Sequence, residues 1–264
     1  MWQYRTILSR RPVAGFYVLA FAISWSGWIP QALYARGMFP IDSPFFSLLG
    51  GGGPTLATVI VLLARGEADA VCRLFGAVLR LRAPWWCYAF VVGFWVAVAV
   101  AAPGIAARFG PAAPALHRVA WGALPLTVVA LALSSVWEEI GWRGFALPRL
   151  QATCSDGSIT VIMGLLWSLW HVPLLLNPAS PMASLPWYGQ TLFWLSMTAI
   201  YTWLYRHTAP GLFVVTLFHA LSNTVAWIFL EAGIFGPTHL PVVGATTLVA
   251  LVIVLVYGPR RFAR

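Results

Sequence analysis

Eight runs of apolar residues follow one another along the chain, joined by short connections that Pro, Gly or Arg punctuate. They cover Val13–Leu33, Phe45–Ala64, Pro84–Ala106, Val119–Trp137, Ser158–Leu176, Trp187–Tyr205, Pro210–Leu230 and Leu240–Tyr257. About 20 helical residues cross a hydrocarbon core of about 30 Å, so each run is the length of a transmembrane helix. Backbone in lipid must satisfy its own hydrogen bonds, and these runs are too long and continuous for barrel strands. The predicted fold is all-α: a polytopic membrane protein of about eight transmembrane helices, with residues 1–264 forming a single transmembrane domain. The first run follows Arg5, Arg10 and Arg11 as a signal peptide would, but no small-residue cleavage site clearly follows, so it reads as an uncleaved helix.

Composition agrees with that reading. Hydrophobic residues make up 60% of the chain and charged residues only 9%, where a soluble domain carries about 25%. The net charge of +9 brings nucleic acid to mind, but the Arg residues are scattered between apolar runs rather than gathered on one face, which argues against it. Membrane sidedness explains them better. With both termini on one side, thirteen of the sixteen basic residues fall on that side, against Arg36, Arg108 and Arg118 on the other. Positive charge is retained in the cytoplasm, so both termini are expected there. All sixteen are Arg, with no Lys, which reads as coding bias of the source genome and suggests the inner membrane of a bacterium. Cys72, Cys87 and Cys154 are odd in number, far apart and without C-x-x-C spacing, so neither a disulfide framework nor a zinc motif is present.

Against this apolar background a few polar positions stand out. Only seven acidic residues occur, and Glu138 and Glu139 sit side by side at the end of the fourth run. An ionisable group at membrane depth costs roughly 2.5–3.5 kcal/mol on the insertion scale and is rarely kept without use. Glu139 and Arg143 are four apart and can pair on one helical face. Glu138 is turned about 100° away, which leaves it free for chemistry as a general base. A charge cluster at a helix end is the plain structural alternative. His171 lies about thirteen residues into the fifth run, deep for an interfacial role, although a satisfied core histidine is the simpler reading of it alone. His219 and Asn223 share a face of the seventh run, where a hydrogen bond between helices would also account for them. Taken jointly, three helices supply a carboxylate base, two imidazoles and an amide. No Gly-x-Ser, no Asp within an apolar run and no H-E-x-x-H occurs, which argues against serine, paired-aspartate and zincin intramembrane sites.

At these positions the sequence resembles a known family. Glu138-Glu139-x-x-x-Arg143, Trp167-x-x-x-His171 and His219-x-x-x-Asn223 look like the three motifs of the CPBP family, the type II CAAX prenyl endopeptidases and their bacterial Abi or bacteriocin-immunity relatives. The flanking Gly141-Trp142-Arg143-Gly144-Phe145 and Trp170-His171-Val172-Pro173 are similar too, and the resemblance covers residues 119–230. One departure is Trp167, where the family commonly has Phe. The resemblance implies an intramembrane endopeptidase acting on a membrane-associated peptide or protein. It implies Glu138 as the base that activates water, assisted by His171, with His219 and Asn223 at an oxyanion site or on a metal. Glu138, His171, His219 and Asn223 could together hold Zn or another divalent metal, although a catalytic zinc normally keeps one position for water. The sequence leaves both chemistries open.

Two other classes compete with a protease. A membrane immunity or binding protein of the same fold would bind a peptide without cleaving it, but needs no such set of four groups. A transporter with a proton relay would explain buried Glu and His, yet it predicts repeated halves or paired broken helices, and neither is visible.

Overall fold

Apolar helices account for nearly the whole chain, and no strand occurs among the described residues. The structure is a computed structural model and describes residues 10–110 and 113–263. Helix α1 spans Pro12–Tyr34, α2 Pro44–Ala64, α3 Ala68–Val78 and α4 Trp85–Ala106. Two short 3₁₀ turns lead into α5 (Leu124–Glu139), which continues through a π-helical segment, Ile140–Ala146, into α6 (Leu147–Gln151). The rest comprises α7 (Asp156–Trp170), the short α8 (Val172–Leu176), α9 (Trp187–Thr208), α10 (Phe213–Glu231) and α11 (Phe235–Tyr257).

Starts and stops follow local chemistry. Pro12 and Pro44 open α1 and α2, where a missing N–H costs nothing. Ser43 and Ser155 cap α2 and α7 by accepting from the backbone N–H groups of Phe45 and Ser158. Six stretches are long and apolar enough to cross a membrane: α1, α2, α4, the continuous Trp121–Gln151, α10 and α11. Helix α7 is apolar but only 15 residues long, and α9 has the length, 22 residues, without the hydropathy. With those two counted, about eight crossings remain plausible, and the all-helical multi-pass fold stands. Val18, Leu48, Val100, Leu126 and Leu255 are each at least 70% exposed, a belt that suits hydrocarbon rather than water.

The polar helix α9 is the centre of the bundle, packed against α7 and α11. Its hydroxyls turn back on their own helix: Thr198, Thr202 and Thr208 each donate to the carbonyl four residues before, at 2.7, 2.8 and 3.0 Å. Surrounded by protein and satisfied locally, it has no need of an apolar surface. Helices α1 and α2 pack closely enough that a Cβ on Gly53 would lie 2.0 Å from the Ser24 hydroxyl oxygen. A larger residue there would force the two helices apart.

Five expectations need correction. The fourth helix does not end near Trp137 but runs on to Gln151, with Gly144 and Pro148 inside the helical path. The fifth run is broken at His171: Pro173 has no N–H to continue the ladder, and α7 gives way to α8 there. The connection after α2 holds a helix, α3. Arg143, counted among the thirteen as part of a connection, is 2% exposed and lies inside the helical stretch Trp121–Gln151. Arg5 and Arg264, which enter that count, lie outside the described residues. Asp156, expected in a connection, is fully buried at the start of α7, where it accepts two hydrogen bonds from Arg206 and one from the backbone N–H of Phe262.

Candidate active site

The π-helical segment after Glu139 sets the geometry. A widened turn breaks the regular pattern of carbonyl acceptance, and the carbonyl of Trp137 takes a hydrogen bond from the Thr55 hydroxyl of α2 at 2.5 Å. Helix α2 reaches that close because residue 141 is glycine. A Cβ on Gly141 would fall 2.6 Å from the Pro54 side chain and 2.7 Å from its carbonyl oxygen.

Both carboxylates point inward, to different partners. Glu139 is fully buried, and its Oε1 accepts from Arg143 at 3.0 Å and from Nδ1 of His219 on α10 at 2.8 Å. The Arg143 guanidinium lies over the Tyr201 ring at 3.8 Å and the Trp167 ring at 4.7 Å, so two aromatic rings hold the cation. Glu138 takes no part in that pair. Its Oε2 accepts from the indole N–H of Trp167 at 3.2 Å, and its Oε1 is 3.9 Å from Nε2 of His219. His219 therefore stands between the two carboxylates, one ring nitrogen toward each.

His171 sits at the α7–α8 break. Its Nδ1 is 2.8 Å from the Trp167 carbonyl, an acceptor only, so Nδ1 carries the proton and Nε2 offers a lone pair. The ring is held flat against Trp194 of α9, with centroids 4.3 Å apart and planes inclined by 15°, while Trp170 meets it edge-on at 4.7 Å. Glu138, His171, His219 and Asn223 all line one cavity of about 340 Å³, whose remaining walls are mostly Trp, Phe, Met and Val. Glu139 and Arg143 stand behind it. Sequence reasoning missed the indole donor on Glu138, the Trp194 stack and the Tyr201 face under Arg143. The Trp in place of Phe at position 167 was the one visible signal.

The fit to a metal is poor as the side chains stand. Among the described residues no three His, Cys, Asp or Glu side chains are gathered into a group able to hold an ion. Nδ1 of His219 is engaged by Glu139 and Nδ1 of His171 by a carbonyl, which leaves each Nε2 as a possible ligand, so the shortfall lies in how the side chains are gathered and not in the imidazoles. No step below is routed through a metal.

This fold and cavity define a multi-pass helical membrane protein with a carboxylate, two imidazoles and an amide on one cavity. Residues 120–225 match the family described as type II CAAX prenyl endopeptidase Rce1-like, a segment that contains all three motifs. A stretch of 99 residues is 34% identical to CAAX prenyl protease 2 of Methanococcus maripaludis, covering 35% of this chain and 36% of that protein. The family resemblance carried by the motifs is thus borne out over the segment that holds them, and the chain aligns with about a third of the relative's length.

Proposed function

We propose that the protein is an intramembrane endopeptidase that hydrolyses a peptide bond of a membrane-associated peptide or protein, with Glu138 as the general base. The observation that carries this reading is the convergence of Glu138, His171, His219 and Asn223, from three separate parts of the chain, on one cavity. The CAAX prenyl protease name of the relative supports the same reaction class.

In this mechanism Glu138 takes a proton from a water molecule held beside it. The water oxygen attacks the substrate carbonyl carbon, and the carbonyl π pair moves onto oxygen. His171 accepts a hydrogen bond from that water through its free Nε2 and so aims it. The amide N–H of Asn223 donates to the developing oxyanion, and Nε2 of His219 does so when its ring carries a second proton. Collapse of the tetrahedral intermediate breaks the C–N bond, and the leaving amine takes its proton from Glu138. Two peptides and no other product result. The largely apolar walls suit a substrate that arrives from lipid, and the bacterial inner membrane is the setting we propose.

Cleavage of a synthetic peptide library by the purified protein, with products located by mass spectrometry, tests the reading. Parent protein should cut, Glu138→Gln should not, and chelator should leave the rate unchanged. Equal cleavage by Glu138→Gln would overturn Glu138 as the base, and no cleavage by the parent would overturn the protease assignment in favour of a peptide-binding immunity protein. Loss of activity with chelator, restored by zinc, would overturn the metal-free route alone.

A further inference from the structure

One polar side chain in the cavity takes part in none of this chemistry. Gln190, in the first turn of α9, is 5% exposed and lines the same cavity as Glu138. Its backbone N–H bonds Pro186, but its side-chain amide has no partner within the described chain. That amide is also absent from the fully enclosed unpaired atoms, so it opens onto the cavity rather than into packed protein. A buried amide without a partner is costly, and a native structure that keeps one calls for an explanation.

Its position is defined relative to the reacting groups. Gln190, Trp194 and Met197 lie on one face of α9, and all three line the cavity. Trp194 is the residue stacked on His171. One helical turn, about 6 Å, separates Gln190 from Trp194 along the axis. An extended peptide advances about 3.3 Å per residue, so a peptide lying along α9 would cover that turn in about two residues. From α11 the same cavity takes Phe235, Val242 and the ring of His239, whose Nε2 is enclosed near Gly189 and is also unpaired.

We infer that Gln190 is a substrate anchor: its amide pairs with one backbone peptide group of an extended peptide, about two residues from the scissile bond. This rests on the endopeptidase reading and adds to it a binding group outside the three motifs. An extended peptide entering an apolar cavity brings N–H and C=O groups that must find partners there. A glutamine amide offers one carbonyl acceptor and two N–H donors in a plane, the complement of a peptide group. Among the described residues no Arg lines the cavity, so a carboxylate would meet no fixed positive charge from them at this end. A neutral amide is the chemistry that fits.

The test uses an acetylated, amidated peptide of Ala and Leu. A matched series carries a single ester in place of each amide in turn, which removes one backbone N–H. Binding to full-length Glu138→Gln protein is followed by tryptophan fluorescence, and cleavage of the same peptides by the parent is mapped by mass spectrometry. One ester, about two residues from the cut, should weaken binding about tenfold. Gln190→Met should weaken the all-amide peptide by a similar factor and show no further loss on that ester. Gln190→Leu repeats the cycle should the first variant melt early. Equal ester sensitivity with and without the Gln190 amide, or none at all, overturns the anchor. Binding with this coupling but without cleavage by the parent keeps the anchor and sinks the protease reading. Failure of the all-amide peptide to bind overturns both.

Discussion

His219 and Glu139 are joined by a hydrogen bond of 2.8 Å between Nδ1 and Oε1, from helices whose residues lie eighty positions apart. Because a carboxylate only accepts, the bond fixes the proton on Nδ1 and leaves Nε2 to face Glu138. The residue expected merely to balance Arg143 therefore also orients an imidazole in the cavity.

Glu139→Gln retains an acceptor for that imidazole but removes the charge. Partners that orient a ligating or catalytic His typically matter by about 10- to 100-fold. Turnover should drop by that order while KM stays within about threefold. Steady-state kinetics decide it: unchanged kcat would show that the contact only packs.

Arg143→Ala removes the cation from a pair buried on both sides, at 2% and 0% exposure. Leaving Glu139 charged and unpaired should cost on the order of 3–5 kcal/mol. A thermal melt in detergent should shift down strongly, and activity should fall with it. A variant that melts like the parent would mean that the pair is not sealed from solvent.

Trp167→Phe preserves the aromatic body but deletes the donor to Oε2 of Glu138. Hydrogen bonds to charged groups are worth about 1.5–3 kcal/mol, so kcat/KM should fall roughly 10- to 100-fold with little change in stability. Equal rates for the two proteins would make the indole N–H incidental, and the Phe common in relatives would then be a full substitute.

Membrane sidedness is open to a direct check. Reporter fusions after the Arg65–Arg82 connection and after Arg264 should both report cytoplasm, as the basic asymmetry requires. A periplasmic signal from either would reverse the topology or change the number of crossings.

The helices were legible because lipid imposes one strong rule, a run of about twenty apolar residues, and the chain follows it in most places. The rule cannot see what happens within a helix. It stopped α5 at Trp137, since Glu138, Glu139 and Arg143 look like an exit from the membrane, whereas buried pairing keeps them inside. It also passed over α3, whose apolar residues lie on one side only. The four cavity residues could be picked out because polar groups are rare in such a sequence. Their supports could not: Trp194, Tyr201 and Trp167 are ordinary aromatics until the fold sets a histidine, a guanidinium or a carboxylate against them.

Helix α9 carries a consequence for how the protein is made. It lacks the hydropathy of an independent transmembrane segment, yet thirteen of its residues are buried. During synthesis it emerges well before α11, one of the two helices that shield it. Partition into lipid on its own would be weak, so it must wait beside the insertion machinery, or against α7, until its later neighbour arrives. Chains that stop after Gly211 should therefore leave α9 poorly inserted and be cleared by membrane quality control. The groove that would have held a peptide is completed only at the last step of biogenesis.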